Sequence, residues 1–451
     1  MDTTFDIIVV GAGPAGLYFS WKMAEKGFSI LIIEKRKEIG HNIDSFHFDS
    51  EKFKEFSIPE PEKDSAEFVA IKELSINLSP YGNYPKIVTY PYHVLRLPFY
   101  LKRLAEYAKK AGVQFQFDTK YTGPKLKNNK LIGIYTETSK GKQLEFFAKL
   151  VVDASGINAA VRISLPDDYG VETFSVQSDE LFYVILYYIK WLGEESIADE
   201  GWTFYKTWIA PSPEGDAILG IGQPLSFENG ERVLKKFLEI IHIPEYEVVK
   251  EERGSTPYRR PPYSLVADNF LCIGDSACLT KPFNGEGITS TLKTVQIALE
   301  VVEKTLKSND LSTSALWGIN VRYFKDQGAK FAGMLAQIPA AANTSMKEME
   351  YLFKKDVIFS AEDFTTMNRS FELHIPTKKL IRIALILMWG VLTGKFSINN
   401  LRALLNAMEI SGSIRNHYEN YPDTPELFVQ WQKRAEILWS KVPKMQLTEI
   451  K

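Results

Sequence analysis

Hydrophobic residues near the start of the chain form two short runs that flank a helical pattern. Residues 7–10 are apolar and β-branched, which is typical of a buried parallel strand, and residues 17–26 have helical spacing. Gly27 ends the helical pattern, and a second apolar run, residues 29–33, is followed by Glu34. This order predicts a βαβ unit.

Later segments alternate between strand and helix patterns. Strands are expected within residues 68–92, at 113–119, 131–137, 143–153, 183–191, 201–209, 217–221 and 269–273. Helices are expected at 97–112, 233–241 and 288–306, with a helical region beyond residue 311, whereas 35–61 is predicted to be a polar loop with short helices.

These patterns predict an α/β (α+β) fold with three parts. The first domain takes residues 1–70, 93–165 and 254–310, and a substrate-binding antiparallel sheet domain takes 71–92 and 166–253. A helical C-terminal domain takes residues 311–451.

Composition narrows the function classes. Of the 451 residues, 45% are hydrophobic and 24% are charged, which is ordinary for a globular protein. The formal net charge is −2, and neither a basic run nor zinc-finger spacing occurs, so we do not expect a nucleic-acid partner.

Cys272 and Cys278 have no CxxC spacing, which favours a reducing compartment and no cysteine-ligated metal. No cleavable signal and no apolar run long enough to span a bilayer are apparent, so the expected location is cytoplasmic.

A glycine motif, GAGPAG, begins directly after the first strand. Gly11 permits a tight turn, Gly13 lets the backbone approach a pyrophosphate, and Gly16 lets helix and strand pack closely. Glu34 follows Gly11 by 23 positions (34 − 11) and can accept hydrogen bonds from a ribose. The motif in this context predicts dinucleotide binding at the helix N-terminus.

Two further strand ends indicate which dinucleotide is bound. LVVDASG at residues 150–156, followed by Arg162, is by itself better explained by a β-turn after a buried strand. In GDSACLTKPFNGEGI, Asp275 can bind a ribityl hydroxyl, while Gly285 and Gly287 permit close backbone approach before a helix. Together with GAGPAG, these segments indicate FAD rather than NAD.

At these motifs the chain resembles the geranylgeranyl reductase family of flavoproteins, which is similar in fold to p-hydroxybenzoate hydroxylase. Among its members the archaeal enzymes that saturate digeranylgeranylglycerophospholipids are the most similar. The narrower motifs LWGINVRYFKDQGAK and YENYPDTPELFVQWQ support this resemblance. It implies an FAD-binding Rossmann-type domain, an antiparallel-sheet substrate domain and saturation of prenyl double bonds.

The resemblance and the motifs together give the cofactor-binding candidates. They are Gly11, Gly13, Pro14, Ala15, Gly16, Glu34, Lys35, Arg96, Lys120, Asp153, Gly156, Gly274, Asp275, Pro282, Gly285, Gly287 and Ile288.

The chain departs from the family pattern at two places. The motif PxxYxWxFP aligns with TFYKTWIAP at residues 203–211, where Trp208 and Pro211 remain and Lys206 replaces the tyrosine. Asp44 stands where many relatives carry a cysteine near the isoalloxazine. These departures leave open the exact substrate and any role of a redox-active cysteine.

Saturation of an isolated prenyl double bond requires a proton and a hydride. Tyr205, Trp208 and Phe283 are candidates for an apolar substrate lining, although each is equally compatible with an ordinary core position. The proton donor is open between Asp44, His41, His47 and a bound water, with Asp44 and His47 as the catalytic candidates. No second GxGxxG occurs, so we expect an external electron donor, either a ferredoxin-like protein or a nicotinamide.

Residues 378–394, KKLIRIALILMWGVLTG, form the most apolar helical stretch. This helix could cap a lipid tunnel, lie on a membrane surface, or pack against the sheet domain. We therefore expect a peripherally membrane-associated reductase acting on a prenyl lipid. Two alternatives remain open: a flavin monooxygenase or halogenase on the same fold, and a flavin-binding electron or prenyl-lipid carrier.

Overall fold

A computed structural model describes residues 3–197, 200–203, 206–282, 284–357, 360–370 and 377–446 of the chain. The strands are β1 Thr4–Val10, β2 Ile30–Ile33, β3 Ser45–Asp49, β4 Phe68–Leu78, β5 Lys86–Arg96, β6 Gln114–Gln116, β7 Thr119–Lys127, β8 Lys130–Thr138, β9 Gln143–Asp153, β10 Leu181–Trp191, β11 Gly201–Thr203, β12 Thr207–Pro211, β13 Ala217–Pro224, β14 Tyr246–Pro257, β15 Val266–Ala267 and β16 Phe270–Cys272. The α-helices are α1 Pro14–Ala24, α2 Ser50–Glu55, α3 Leu97–Lys110, α4 Phe227–Ile240, α5 Ile288–Ser308, α6 Thr313–Leu316, α7 Gly318–Tyr323, α8 Ala329–Ala342, α9 Met346–Lys354, α10 Ala361–Ser370, α11 Thr377–Leu392, α12 Ile398–Glu419 and α13 Phe428–Trp439.

The first sheet has a parallel core in the order β16, β9, β1, β2, β6. Its two central apolar runs, in β1 and β2, are buried because helices cover the sheet, as expected of a parallel sheet. The hairpin β7–β8 extends the sheet antiparallel to β9. The predicted βαβ unit is therefore confirmed.

The second sheet is mostly antiparallel, in the order β14, β10, β13, β12, β11, β4, β5, β3. Strand β3 lies within the segment predicted to be a loop, so that prediction is wrong at residues 45–49. The polar sequence of this segment gives no strand pattern, because the strand is stabilised by pairing with β5, where Ser45 pairs with Arg96 and Asp49 pairs with Tyr92. Segment 246–257, to which the sequence analysis assigned no element, is the edge strand β14.

The helical region packs on both sheets. Trp317 donates its indole N–H to the Pro422 carbonyl at 2.9 Å, and the Tyr421 hydroxyl donates to the Tyr263 carbonyl at 2.8 Å. The rings of Tyr421 and Trp431 lie 4.6 Å apart, so the LWGIN and YENYP segments meet in one buried aromatic cluster. The three domain boundaries themselves stay a prediction.

Candidate functional site

Three predicted segments meet at the carboxyl edge of the first sheet. Val10, the last residue of β1, lies between Ile33 and Asp153 in register. Backbone hydrogen bonds continue past the strand ends, from Gly11 to Ile33 at 2.9 Å and from Ala154 to Val10 at 3.0 Å. We call residues 11–16, 153–156 and 274–288 the glycine cradle.

Two glycines of the cradle leave no room for a Cβ, whereas the third leaves open space. A Cβ on Gly16 would lie 2.2 Å from the Gly11 carbonyl oxygen, and one on Gly11 would lie 2.3 Å from the Ala154 oxygen. A Cβ on Gly13 meets nothing within 4 Å. Gly13 is the N-cap residue of α1 and has no side chain to accept a hydrogen bond. The backbone N–H groups of Ala15 and Gly16, which follow Pro14, are therefore available to an anion.

Glu34 lies immediately beyond β2, beside the glycine turn. Its two carboxylate oxygens accept hydrogen bonds from the backbone N–H groups of Ala12 and Arg36, each at 2.9 Å. The Thr119 N–H donates to the Glu34 carbonyl at 3.0 Å, which brings the backbone of Lys120 next to this position. Lys35 and Lys120 are both exposed. A carboxylate has lone pairs beyond those used here, so Glu34 can still accept ribose hydroxyls.

Asp153 holds the second segment of the cradle together by hydrogen bonds. Its carboxylate is buried and accepts hydrogen bonds from Ser155, Val161 and Arg162. The Arg162 guanidinium donates to the Ser276 carbonyl at 2.9 Å, so it links the second segment to the third. Gly156 has φ +74° and open space at its Cβ position, which suits close approach of a ligand.

The third segment closes the cradle. A Cβ on Gly274 would lie 3.2 Å from the Ala15 Cβ, so the first and third segments touch. Asp275 accepts a hydrogen bond from Thr280 Oγ1 at 3.2 Å, and burial raises the pKa of its carboxyl.

Pro282 is buried, Gly285 has φ +77°, and Gly287 begins α5 at Ile288 without a capping side chain. This second uncapped helix start is suited to partial negative charge.

Asp44 and Arg96, predicted for different roles, form one ion pair. Arg96 donates through Nε and Nη2 to the two Asp44 oxygens at 3.1 and 2.7 Å. Asp44 is buried, and it does not line the cavity described below. The residue in the place of the family's cysteine therefore orients Arg96 at the start of α3.

A cavity of about 670 Å³ lies between the second sheet and the helical region. Part of its wall is the turn from Gly285 to Thr289, so the cavity adjoins the glycine cradle. Residues of α8, α11 and α12 also line it, with apolar side chains such as Ile338, Ile383, Leu387, Leu404 and Met408. Its size and lining are those of a pocket for a large apolar ligand.

Aromatic side chains cover the sheet wall of the cavity. Trp208, a predicted lining residue, stacks on Trp202 with ring centroids 5.2 Å apart, and both line the cavity. Trp208 lies against Gly220, where a Cβ would approach the indole to 2.1 Å. Sequence reasoning missed Trp202, because the glycines at 220 and 222, on one face of a strand, signal the close approach of Trp208 and not of Trp202. Tyr205 and Phe283, the other predicted lining residues, lie outside the described residues.

His47, a predicted proton donor, also lines the cavity. Its Nδ1 lies 3.4 Å from Glu200 Oε1, and Glu200 in turn accepts a hydrogen bond from the Tyr92 hydroxyl. Glu200 is buried, and burial raises the pKa of its carboxyl. Sequence reasoning missed Glu200, because only the pairing of β11 with β4 brings it next to β3 and β5. His41 lies in the preceding loop, where its Nδ1 accepts the Ile43 N–H at 3.0 Å.

Helix α11 has two contrasting apolar faces. Ile383 and Leu387 are buried and line the cavity. Five side chains form an exposed set that we call the outer face: Ile381, Leu385, Met388, Trp389 and Leu392. In the described part of the chain, the helices are too short or too polar to cross a membrane.

Comparisons with known proteins place this arrangement in a class. Residues 9–56 match the family model described as an NAD(P)-binding Rossmann-like domain. A digeranylgeranylglycerophospholipid reductase of Sulfolobus acidocaldarius is 23% identical over 96% of this chain and 96% of its own.

Two solved structures are similar in fold. A geranylgeranyl bacteriochlorophyll reductase-like protein from Thermoplasma acidophilum has a TM-score of 0.66 and 19% identity, over 87% of this chain and 99% of its own. A flavin-dependent brominase has a TM-score of 0.62 and 16% identity, over 96% of this chain and all of its own.

The predicted fold class is thereby confirmed: a Rossmann-type domain, an antiparallel-sheet domain and a helical region, as in flavin-dependent oxidoreductases. Within that class, the predicted resemblance to digeranylgeranylglycerophospholipid reductases is confirmed as well, since the Sulfolobus reductase matches 96% of this chain at 23% identity. The individual cofactor-binding and catalytic residues stay predictions.

Proposed function

We propose that this chain is an FAD-dependent reductase that saturates carbon–carbon double bonds of geranylgeranyl lipid chains. One observation carries the proposal: a large apolar cavity adjoins the turn from Gly285 to Thr289 in the glycine cradle. A cofactor held in the cradle and a prenyl chain held in the cavity would therefore meet at this turn. The names of the relatives agree with the predicted enzyme class and substrate class.

The cradle has the features that FAD binding needs. Gly13 and Gly156 leave open space, the starts of α1 and α5 are uncapped, and Glu34 and Asp275 supply carboxylate oxygens. When bound and reduced, FAD supplies the hydride for alkene reduction.

The chain itself supplies an enclosed apolar site and a proton. The faces of Trp202 and Trp208 can stabilise positive charge that develops on the alkene, by the attraction that operates in cation–π contacts. Of the two predicted proton donors, His47 lines the cavity, whereas Asp44 is bound to Arg96.

Anaerobic turnover tests the proposal. The purified protein is reduced with dithionite and mixed with a geranylgeranyl lipid, and the mass of the lipid is followed. A gain of two hydrogens per double bond is expected. Flavin that becomes reduced while several prenyl lipids keep their mass would contradict the proposal and favour a carrier.

A flavin monooxygenase or halogenase is the competing function, because the brominase has a similar fold. Oxygen consumption coupled to product formation, or a requirement for halide, would identify that chemistry. Neither is expected of the reductase.

The electron donor and the membrane contact belong to the same proposal. The donor is an external redox partner, either a ferredoxin-like protein or a nicotinamide, and comparing the two as reductants of the bound flavin distinguishes them. The outer face of α11 supports membrane contact, since Lys378, Arg382 and Lys395 border it and are exposed. We propose a cytoplasmic protein that binds peripherally to membranes and takes its lipid into the cavity that α11 lines.

A further inference from the structure

Lys206 lines the cavity and stands directly before β12. Its Nζ is 3.8 Å from the centroid of the Phe182 ring and 5.6 Å from that of Tyr258. The Lys206 carbonyl accepts the Gly222 N–H at 2.9 Å, which fixes the backbone to β13. The residue has φ +55°, a conformation that is uncommon for a side chain of this size and that is found preferentially at functional sites.

The charge of Lys206 is not compensated by a described carboxylate within ion-pair distance. Two other ionisable groups of the cavity differ in this respect: Glu286 binds Lys281 at 2.6 Å, and His47 lies against Glu200. Burial lowers the pKa of Lys206 to about 7, because its surroundings do not replace the water that an ammonium group loses.

The groups that surround Lys206 do not offset the lowering of its pKa by burial. Tyr258, on β14, faces it with a buried hydroxyl that has no hydrogen-bond partner among the described residues, and burial raises the pKa of that phenol. Phe182, on β10, is apolar, and Gln223, on β13, is uncharged. Nearby charges are held in other contacts: Glu180 pairs with Arg259, and Asp275 accepts from Thr280.

We infer that the ammonium group of Lys206 is the proton donor to the prenyl double bond. This inference rests on the proposed reductase function. A bond between Lys206 Nζ and hydrogen breaks, and the π electrons of the alkene form a new C–H bond at the less substituted carbon. The tertiary carbon receives its electron pair as the hydride that reduced FAD supplies, and the neutral amine regains a proton from solvent.

Electrostatics favours Lys206 over His47 for this step. His47 Nδ1 lies 3.4 Å from Glu200 Oε1, so the imidazole faces a carboxylate. Lys206 lacks such a partner among the described residues, so the uncharged amine is comparatively stable in the apolar pocket. Donation also removes the positive charge beside the developing carbocation, while the Phe182 ring, which had faced the ammonium, remains close by.

The test compares Lys206→Met and Lys206→Arg with Lys190→Met, an exposed lysine on the same sheet that does not line the cavity. We expect Lys206→Met to lower kcat for lipid saturation by about 10²-fold or more, with KM and flavin content nearly unchanged. Lys206→Arg should behave similarly, because a guanidinium keeps the charge and does not release a proton. Lys190→Met should match the wild-type protein.

The pH profile gives a second readout. The wild-type rate should fall as the pH rises through about 7, where Lys206 loses its proton, and this decline should be absent from the residual rate of Lys206→Met. Titration of dimethylated lysines by NMR, with Lys206→Arg used for assignment, should reveal one amine with this low pKa.

Several outcomes would overturn the inference. They are rescue by arginine, an effect on KM alone, or loss of the alkaline decline in a His47→Gln variant but not in Lys206→Met. Saturation at equal rates by the wild-type protein and Lys206→Met contradicts the proton-donor role alone. Absence of saturated lipid with the wild-type protein contradicts the proposed function, and with it this inference.

Discussion

The glycine cradle and the cavity beside it are built in different ways. In the cradle, Gly11 and Gly16 are confined by backbone atoms close to them in space, as in the approach of Gly16 to the Gly11 carbonyl. The cavity is instead enclosed by side chains from the second sheet and from α8, α11 and α12, which are far apart along the chain.

The cradle and the cavity should therefore differ in how well they tolerate substitutions. Backbone contacts leave the cradle little room for change, because a backbone atom cannot move away from a new Cβ as a side chain can. Side chains enclose the cavity, so it can be reshaped while the fold is kept. The variants below probe the two regions, beginning with the largest expected effect.

Gly16→Ala should disrupt the cradle. Its Cβ would lie 2.2 Å from the Gly11 oxygen, so we expect loss of FAD and a decrease of about 3 kcal/mol in the free energy of unfolding. Gly13→Ala is the matched variant: it meets nothing within 4 Å, so the apoprotein should keep its stability while FAD affinity falls. Flavin absorbance and apoprotein Tm measure the two effects, and equal Tm losses for both variants would contradict the distinction.

Gly220→Ala should damage the cavity and spare the cradle. The new Cβ would lie 2.1 Å from the Trp208 indole, which must move, so we expect turnover to fall by about 10²-fold with flavin content retained. Gly222→Ala is the control, since its Cβ would meet Trp208 at an ordinary 3.7 Å. Turnover assays on both variants make the comparison, and an unchanged rate for Gly220→Ala would show that the Trp208 position is unimportant.

Replacing Trp389 and Leu392 together by Asp should weaken membrane binding without altering the cavity. Both side chains are exposed on the outer face, and each apolar side chain that enters a membrane contributes about 1.5–3 kcal/mol. We expect binding to vesicles containing anionic lipid, measured by flotation, to fall by about 10²-fold or more. Val429→Asp, at an exposed apolar position on α13, should bind normally, and equal binding by all variants would exclude this face.

His417 should give the smallest effect, on the pH dependence of stability. Its ring stacks on Trp431, and burial lowers its pKa below 6.5. The unfolded chain therefore binds more protons than the folded one just below pH 6.5, so stability is retained above that pH and falls below it. We expect Tm to decrease slightly from pH 8 to 5, and less in His417→Gln. An identical decrease in that variant would contradict this role.

The cradle was largely predictable because its determinants are local. GAGPAG with Glu34, DASG and the GD segment each follow a strand, and strands of a parallel sheet present their carboxyl ends at one edge. The pairing of Asp44 with Arg96 was not predictable, since these residues are 52 positions apart and meet through the register of β3 on β5.

The sequence by itself determined the class of fold, the glycine cradle and the resemblance to geranylgeranyl reductases, because strand periodicity, glycine spacing and strand-end carboxylates act over short distances. The tertiary structure alone decided which groups line the cavity and what they contact: His47 lies against Glu200, Trp202 stacks on Trp208, and Lys206 has no described carboxylate partner. The physical reason is that burial and electrostatic environment depend on neighbours brought together from distant segments. The chemical state of Lys206 is therefore a property of the packed molecule.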